Sequence, residues 1–182
     1  MFTRKELLKM RKLLIVIDMQ NDFIDGALGT KEAEAIVDNV VAKIGQYDSK
    51  DVIATRDTHT EDYMNTMEGK HLPVIHCVKG THGWEINDKV AAALGDAKII
   101  DKPTFGSFDL VEEVKKICAD DEVEVEMIGL CTDICVVSNA LLLKAGVPNV
   151  EVSVDAACCA GVTPDSHNAA LSTLGACHVN VN

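Results

Sequence analysis

The apolar positions of this chain fall into short, nearly continuous runs separated by amphipathic stretches. The runs predict strands over Leu13–Ile17, Val52–Arg56, Ala97–Ile100, Val123–Ile128, Val150–Val154 and His178–Val181. The stretches between them predict helices over Lys31–Gln46, Ser107–Cys118, Asp133–Lys144 and Pro164–Leu174. Unbroken runs such as LLIVI suit strands of a parallel sheet covered on both faces. VEVEMIGL and VEVSV alternate instead, which places these two strands nearer an edge. Regular strand–helix alternation predicts an α/β fold: a three-layer, doubly wound sandwich with a six-stranded parallel sheet, order 3-2-1-4-5-6, and helices on both faces. The alternation breaks only over 57–95, a long insertion with no clear strand, whose end, Ile86–Leu94, can be helical. Long irregular insertions in compact domains are usually functional. No repeat, low-complexity segment or linker divides the chain, so 1–182 reads as a single domain.

Composition narrows the function classes. The 182 residues are 47% hydrophobic and 25% charged, ordinary for a globular protein, and no apolar run approaches the ~18 residues a membrane span needs. The start, MFTRKELLKMRKLLIVIDMQ, makes a poor signal peptide, because its apolar part meets Asp18 within a few residues and has no small-residue cleavage site. A short leading helix before the first strand is expected there. A net charge of −12 argues against nucleic acid and membrane surfaces as partners. Seven cysteines, an odd number without framework spacing, read as reduced thiols of a cytoplasmic protein, most of them small buried hydrophobes.

In open α/β sheets ligands bind beyond the carboxyl ends of the strands. The polar residues there are few: Asp18 after the first strand, Asp57 and His59 after the second, Lys102 after the third, Thr132, Asp133 and Cys135 after the fourth, Asp155 after the fifth. In GLCTDICVVS, Gly129 lets the chain leave its strand tightly and Thr132 or Asp133 can cap the next helix. Cys135 then lies in the first helical turn, where free N–H groups and the helix dipole favour a thiolate and offer an oxyanion hole; a thiol merely packed under the helix is the alternative. Asp18 can serve as general base and acid, or simply cap its loop. Lys102, in DKPTFGSF, can hold a neighbouring thiolate or carboxylate charged, or be a solvated surface lysine.

The insertion carries Asp57-x-His59, then Glu68 and His76, with His71 and His82 as spare candidates. Imidazoles with carboxylates suit Zn²⁺, Mn²⁺ or Fe²⁺; polar loop residues bonding one another would give the same composition. Gly80 and Gly83 supply turns.

With these residues assembled, the sequence resembles the isochorismatase-like cysteine hydrolases, and among them the nicotinamidase/pyrazinamidase branch, from about Lys12 to the end. Four motifs in order carry the resemblance: VIDMQNDF, TRDTH…LPVIHCVKGTHGWEI, DKPTFGSF and GLCTDICV. It implies a catalytic triad of Asp18, Lys102 and Cys135. It implies a cis peptide between Leu130 and Cys131, with the backbone N–H groups of Cys131 and Cys135 as the oxyanion hole and the side chain of Cys131 incidental. It implies a divalent transition metal, zinc first and manganese or iron otherwise. Many nicotinamidases use Asp-x-His plus two further histidines. Here the middle position falls near TEDYMNT, which has no histidine, and Glu68 takes it, as in a variant of the family, giving Asp57, His59, Glu68 and His76. The Asp-x-His pair favours nicotinamidase over isochorismatase. Phe23 and Tyr63 are candidates for packing on the substrate ring, with Cys131 at the same pocket; ordinary core or surface aromatics are the alternative. The resemblance thus points to a cysteine-dependent amidohydrolase of nicotinamide, a small-molecule amide, in a homo-oligomer. A relative acting on another small amide, a carbamoyl or ureido compound, is the alternative among enzymes. A non-catalytic thiol protein that uses Cys131, Cys135, Cys158 and Cys159 to sense oxidants or bind a partner is the alternative of another class.

Overall fold

A computed structural model describes residues 10–182. The leading helix expected before the first strand falls on 1–9, outside the described residues. Six parallel strands form one sheet in the order β3-β2-β1-β4-β5-β6. They are β1 (Met10–Ile17), β2 (Val52–Asp57), β3 (Lys98–Lys102), β4 (Glu122–Leu130), β5 (Glu151–Ala160) and β6 (Asn180–Val181). The helices are α1 (Asn21–Ile24), α2 (Lys31–Ile44), α3 (Met67–His71), α4 (Asp88–Leu94), α5 (Phe108–Asp120), α6 (Val137–Gly146) and α7 (Pro164–Ala176).

The run Leu13–Ile17 explains the layering. All five side chains are buried, alternating between two cores. Leu13, Ile15 and Ile17 pack with Val111, Val114, Leu143 and Leu174 of α5, α6 and α7. Leu14 and Val16 pack with Ile36, Val37, Val40, Val90 and Leu94 of α2 and α4. Each buried aliphatic contributes roughly 1.5–3 kcal/mol, so this strand anchors both faces. The helices start where the sequence provides caps: Thr30, Ser107 and Thr163 accept backbone N–H groups of α2, α5 and α7.

The structure corrects several expectations. β4 is central, hydrogen-bonded to β1 and β5, not near an edge. Of its alternating glutamates, Glu126 meets the end of α2 and the residues after it, accepting from Lys43 Nζ at 3.2 Å and from the Tyr47 hydroxyl at 2.7 Å. Glu126 therefore marks a polar stretch of the covering layer. β5 runs on through Ala156–Ala160 after a register shift opposite Met127–Gly129. Asp155 consequently lies within the strand, ion-paired with Lys43 at 2.7 Å, and is not at the carboxyl-end crevice.

Candidate active site

The carboxyl ends of β3, β2, β1 and β4 are adjacent, and each delivers one polar group. The strand order reverses between β1 and β4, the position at which doubly wound sheets open a crevice. Asp18 follows β1 at φ 45°, a conformation unusual for any residue but glycine. Thr55 of β2 holds it there, donating its hydroxyl to Asp18 Oδ1 at 2.7 Å. Lys102, the last residue of β3, is fully buried and reaches across β2. Its Nζ lies 2.6 Å from Asp18 Oδ2, 3.3 Å from Asp57 Oδ1 and 3.4 Å from Cys135 Sγ. The surface-lysine alternative is thereby removed. Oδ2 of Asp18 is buried, and its contact with Lys102 is ionic without hydrogen-bond geometry, which leaves a lone pair for another proton.

Cys135 sits in a wide helical turn, Thr132–Val136, that feeds α6. Gly129 makes the approach possible: at φ 115° its backbone lies directly against Ile17, and a Cβ would overlap the Ile17 carbonyl. The Leu130–Cys131 peptide is cis. The Cys131 N–H donates to no protein group among the described residues. Thr132 and Asp133 do not cap the helix as expected. Thr132 is buried against His167, and Asp133 accepts the Val162 N–H at 3.1 Å. Asn139, one turn beyond Cys135, donates to the Cys135 and Phe105 carbonyls at 2.8 and 2.9 Å and accepts from Ser107 N–H at 2.9 Å, joining the lysine loop to the thiol's turn.

Burial sets the proton affinities. It pushes the Asp18 carboxyl up, against the pull of Lys102. It pushes the Cys135 thiol well up, and the Asp18 charge adds to the effect. For Lys102 burial works towards neutrality, but Asp18, Cys135 and Asp57 outweigh it and hold an ammonium. Burial thus favours the protonated thiol, and the buried Asp18 is a candidate base for it.

Beside this cluster, Asp57, His59, Glu68 and His76 bring one ligand atom each to within 4.8 Å of one another. Asp57 ends β2. His59 is fixed by its N–H to the Cys77 carbonyl at 2.9 Å, and α3, capped by Thr66, presents Glu68. The group fits a divalent cation. His76 Nδ1 lies 2.8 Å from the Val74 carbonyl, which makes Nδ1 the protonated nitrogen and turns the Nε2 lone pair to the cluster. His59 Nε2 is buried 2.9 Å from Asp57 Oδ2, yet no hydrogen bond satisfies it. Burial opposes a charge on His59, but the two carboxylates raise it to about 9, so the cluster favours positive charge. Two N and two O donors suit zinc, manganese or iron. The spare His71 and His82 are outside the group, His71 exposed and turned to the Met67 carbonyl, His82 beside Glu85.

A cavity of about 210 Å³ borders both clusters, lined among others by Phe23, Leu72, Phe105, Ile134, Cys131 and Cys135 and by Asp57, Glu68 and His76. Phe23 is among its lining residues. Tyr63 is not: it does not line the cavity, because its hydroxyl bonds the Leu72 carbonyl at 2.8 Å and its ring packs behind His59 and His76 at 4.7 and 4.9 Å. Sequence reasoning missed Gln20, whose buried amide clasps both backbone groups of Asp57 and the Trp84 carbonyl; its signal was its place inside VIDMQNDF. It also missed Phe105, inside DKPTFGSF, and Asn139, for which only the spacing of four from Cys135 gave a hint.

The family model for the isochorismatase domain matches residues 12–181. This chain belongs to the isochorismatase family. It is 27% identical to the nicotinamidase/pyrazinamidase of Mycobacterium tuberculosis, covering 90% of this chain and 94% of that one. It is 27% identical to the nicotinamidase of Saccharomyces cerevisiae, covering 71% and 80%. Among solved structures, the pyrazinamidase of Pyrococcus horikoshii in complex with zinc superposes with a TM-score of 0.80 at 28% identity, covering 94% of this chain and 98% of that one. Within the family, these relatives place the chain on the nicotinamidase/pyrazinamidase branch, among hydrolases of amide C–N bonds. Among the described residues no helix is long and apolar enough to cross a membrane.

Proposed function

We propose that this hydrolase is a nicotinamidase, converting nicotinamide to nicotinate and ammonia through a thioester on Cys135. The observation that carries the reading is Lys102 Nζ, fully buried at 2.6 Å from Asp18 and 3.4 Å from Cys135 Sγ, with Cys135 on a cavity that residues of the metal-ligating group also line. Asp18 takes the thiol proton while Lys102 balances the resulting charge. Cys135 Sγ attacks the amide carbonyl carbon, and the oxyanion is received by the N–H groups of Cys131 and Cys135. As the C–N bond breaks, Asp18 returns the proton to the leaving nitrogen and ammonia departs. Asp18 then deprotonates a water that hydrolyses the thioester, and the proton passes back to the thiol.

Asp57, His59, Glu68 and His76 would hold a divalent cation, which would supply a Lewis-acidic partner for the pyridine nitrogen and so help orient the ring. Phe23 and Phe105 offer it aromatic walls. The cavity volume suits one aromatic ring with a carboxamide. A thiol-sensing role has less support: Cys158 and Cys159 point into opposite cores of the sheet, and burial raises Cys158 to about 11 and Cys131 to about 12.

The test is ammonia release from a panel of nicotinamide, other aromatic carboxamides, and carbamoyl and ureido compounds, with and without zinc, manganese or iron. Nicotinamide is expected to be the preferred substrate. Preference for a ureido compound, or indifference of nicotinamide turnover to every metal and to chelator, would overturn the reading.

A further inference from the structure

The proposed mechanism uses the N–H groups of Cys131 and Cys135 but leaves open what holds the turn between them. Thr132, the residue that follows Cys131, has a fully buried side chain. Its hydroxyl has a single hydrogen-bond partner among the described residues, Nδ1 of His167 at 2.8 Å, in the first turn of α7. The neighbouring Asp133 makes a second tie in the same direction, accepting the Val162 N–H at 3.1 Å through Oδ1 and 3.4 Å through Oδ2. The α7 end is itself rigid. Thr163 and Ser166 close a reciprocal capping box, and Pro164 opens the helix. Gly161 passes so close to His167 that a Cβ there would overlap the histidine backbone. His167 is half-buried, and burial lowers its proton affinity, so the ring is a neutral partner for a hydroxyl.

We infer that His167 is a positioning residue for the oxyanion turn: its bond to Thr132 locks the 131–135 segment to the start of α7 and so fixes where the Cys131 N–H points. His167 touches neither the cavity nor the thiol. It therefore acts through Thr132, on the stabilisation of the tetrahedral intermediate and not on substrate binding or thiol activation. A displacement of a fraction of an ångström in an oxyanion donor is expensive, because the hydrogen bond must be formed at the position the oxygen reaches only in the transition state. This inference rests on the proposed thioester mechanism.

The consequence separates cleanly from a structural role. Alkylation of Cys135 by iodoacetamide is a displacement at saturated carbon and develops no oxyanion, whereas amide hydrolysis does. In His167→Leu and Thr132→Val, kcat for ammonia release should fall by roughly tenfold to a hundredfold with KM little changed. Alkylation of Cys135 should proceed at the wild-type rate. His167→Asn, which keeps a hydrogen-bonding amide near the Nδ1 position, should recover most of kcat. The double variant His167→Leu, Thr132→Val should be no worse than either single change, because one bond is being removed.

Hydrogen exchange over the peptide containing 130–136 is followed in the same proteins, and should quicken in His167→Leu and not in His167→Asn. Unchanged kcat in His167→Leu, equal loss of hydrolysis and alkylation, or unchanged exchange would overturn the inference. If the wild type releases no ammonia from any amide in the panel, it is the functional reading that fails, and the exchange measurement still decides whether His167 holds the turn.

Discussion

Two buried polar clusters lie side by side in this molecule and solve the problem of burying charge in opposite ways. Asp18, Lys102 and Cys135 bring their own counter-charge: one carboxylate, one ammonium and one neutral thiol, each almost wholly out of water. Asp57, His59, Glu68 and His76 bring two carboxylates and two imidazoles and have no ammonium wholly their own, only the share of Lys102 that reaches Asp57 Oδ1. The first is complete without a ligand; the second asks for a cation. Asp57 belongs to both, with Oδ1 on Lys102 at 3.3 Å and Oδ2 on His59 at 2.9 Å. Self-neutralised clusters can be read from strand ends alone, whereas a cluster awaiting a cation needs the path of an insertion to assemble it.

The sharpest break of this comparison is within the first cluster. Cys135→Ala should lower ammonia release from nicotinamide by at least about a thousandfold, as loss of a nucleophile does, with Cys131→Ala within a few-fold of wild type because the proposed contribution of Cys131 is its backbone N–H. Equal losses in steady-state assays would mean the two thiols are wrongly distinguished. Next, Lys102→Met leaves Asp18 buried without a cation. Activity should drop by roughly a hundredfold or more, and urea denaturation should report about 3–5 kcal/mol lost, the usual cost of stranding a buried charge.

The second cluster should respond differently. Glu68→Gln, or treatment with chelator, should reduce bound metal at least about tenfold by elemental analysis and raise KM more than it lowers kcat, while leaving the rate of Cys135 alkylation near its original value. A collapse of kcat at constant KM would mean that the cation serves the chemistry and not the ring.

The smallest effect lies outside both clusters, in the polar seam of α2 with β4 and β5. Burial works to raise Asp155, but the Lys43 ammonium at 2.7 Å outweighs it and holds the carboxyl below its ordinary range. A group lowered in the folded state adds stability above its unfolded pKa, about 4, and loses it as pH falls through the folded value. Asp155→Asn should therefore cost about 1 kcal/mol near neutrality and nothing at strongly acidic pH, a difference that pH-dependent thermal unfolding reads directly.

The legible parts of the sequence follow the same division. Asp18, Lys102 and Cys135 each sit at or just beyond a strand end, so the strand pattern and the four motifs were enough to bring them into one crevice. Asp57 and His59 were legible for the same reason. Glu68 and His76 were visible as candidates beside His71 and His82, but only the resemblance selected them, because loop spacing carries no periodicity. Tyr63 was misplaced because a ring in an insertion can face either side of it, and here its hydroxyl is claimed by the Leu72 carbonyl. Asp155 was misplaced because AACCA has none of the β-branched residues that would announce a continuing strand, so the expected strand stops at Val154, six residues short of the end of β5 at Ala160. The alternation of β4 suggests a place nearer an edge, whereas at Glu126 it records the polar residues Lys43 and Tyr47 at the end of α2 and just beyond it.

The most direct measurement is to quench nicotinamide turnover on the millisecond scale and map any covalent adduct by peptide mass spectrometry. The account predicts a nicotinoyl group on Cys135, absent in Cys135→Ala and present in Cys131→Ala. A nicotinoyl group on Cys131, or ammonia release at undiminished rate from Cys135→Ala, would contradict it.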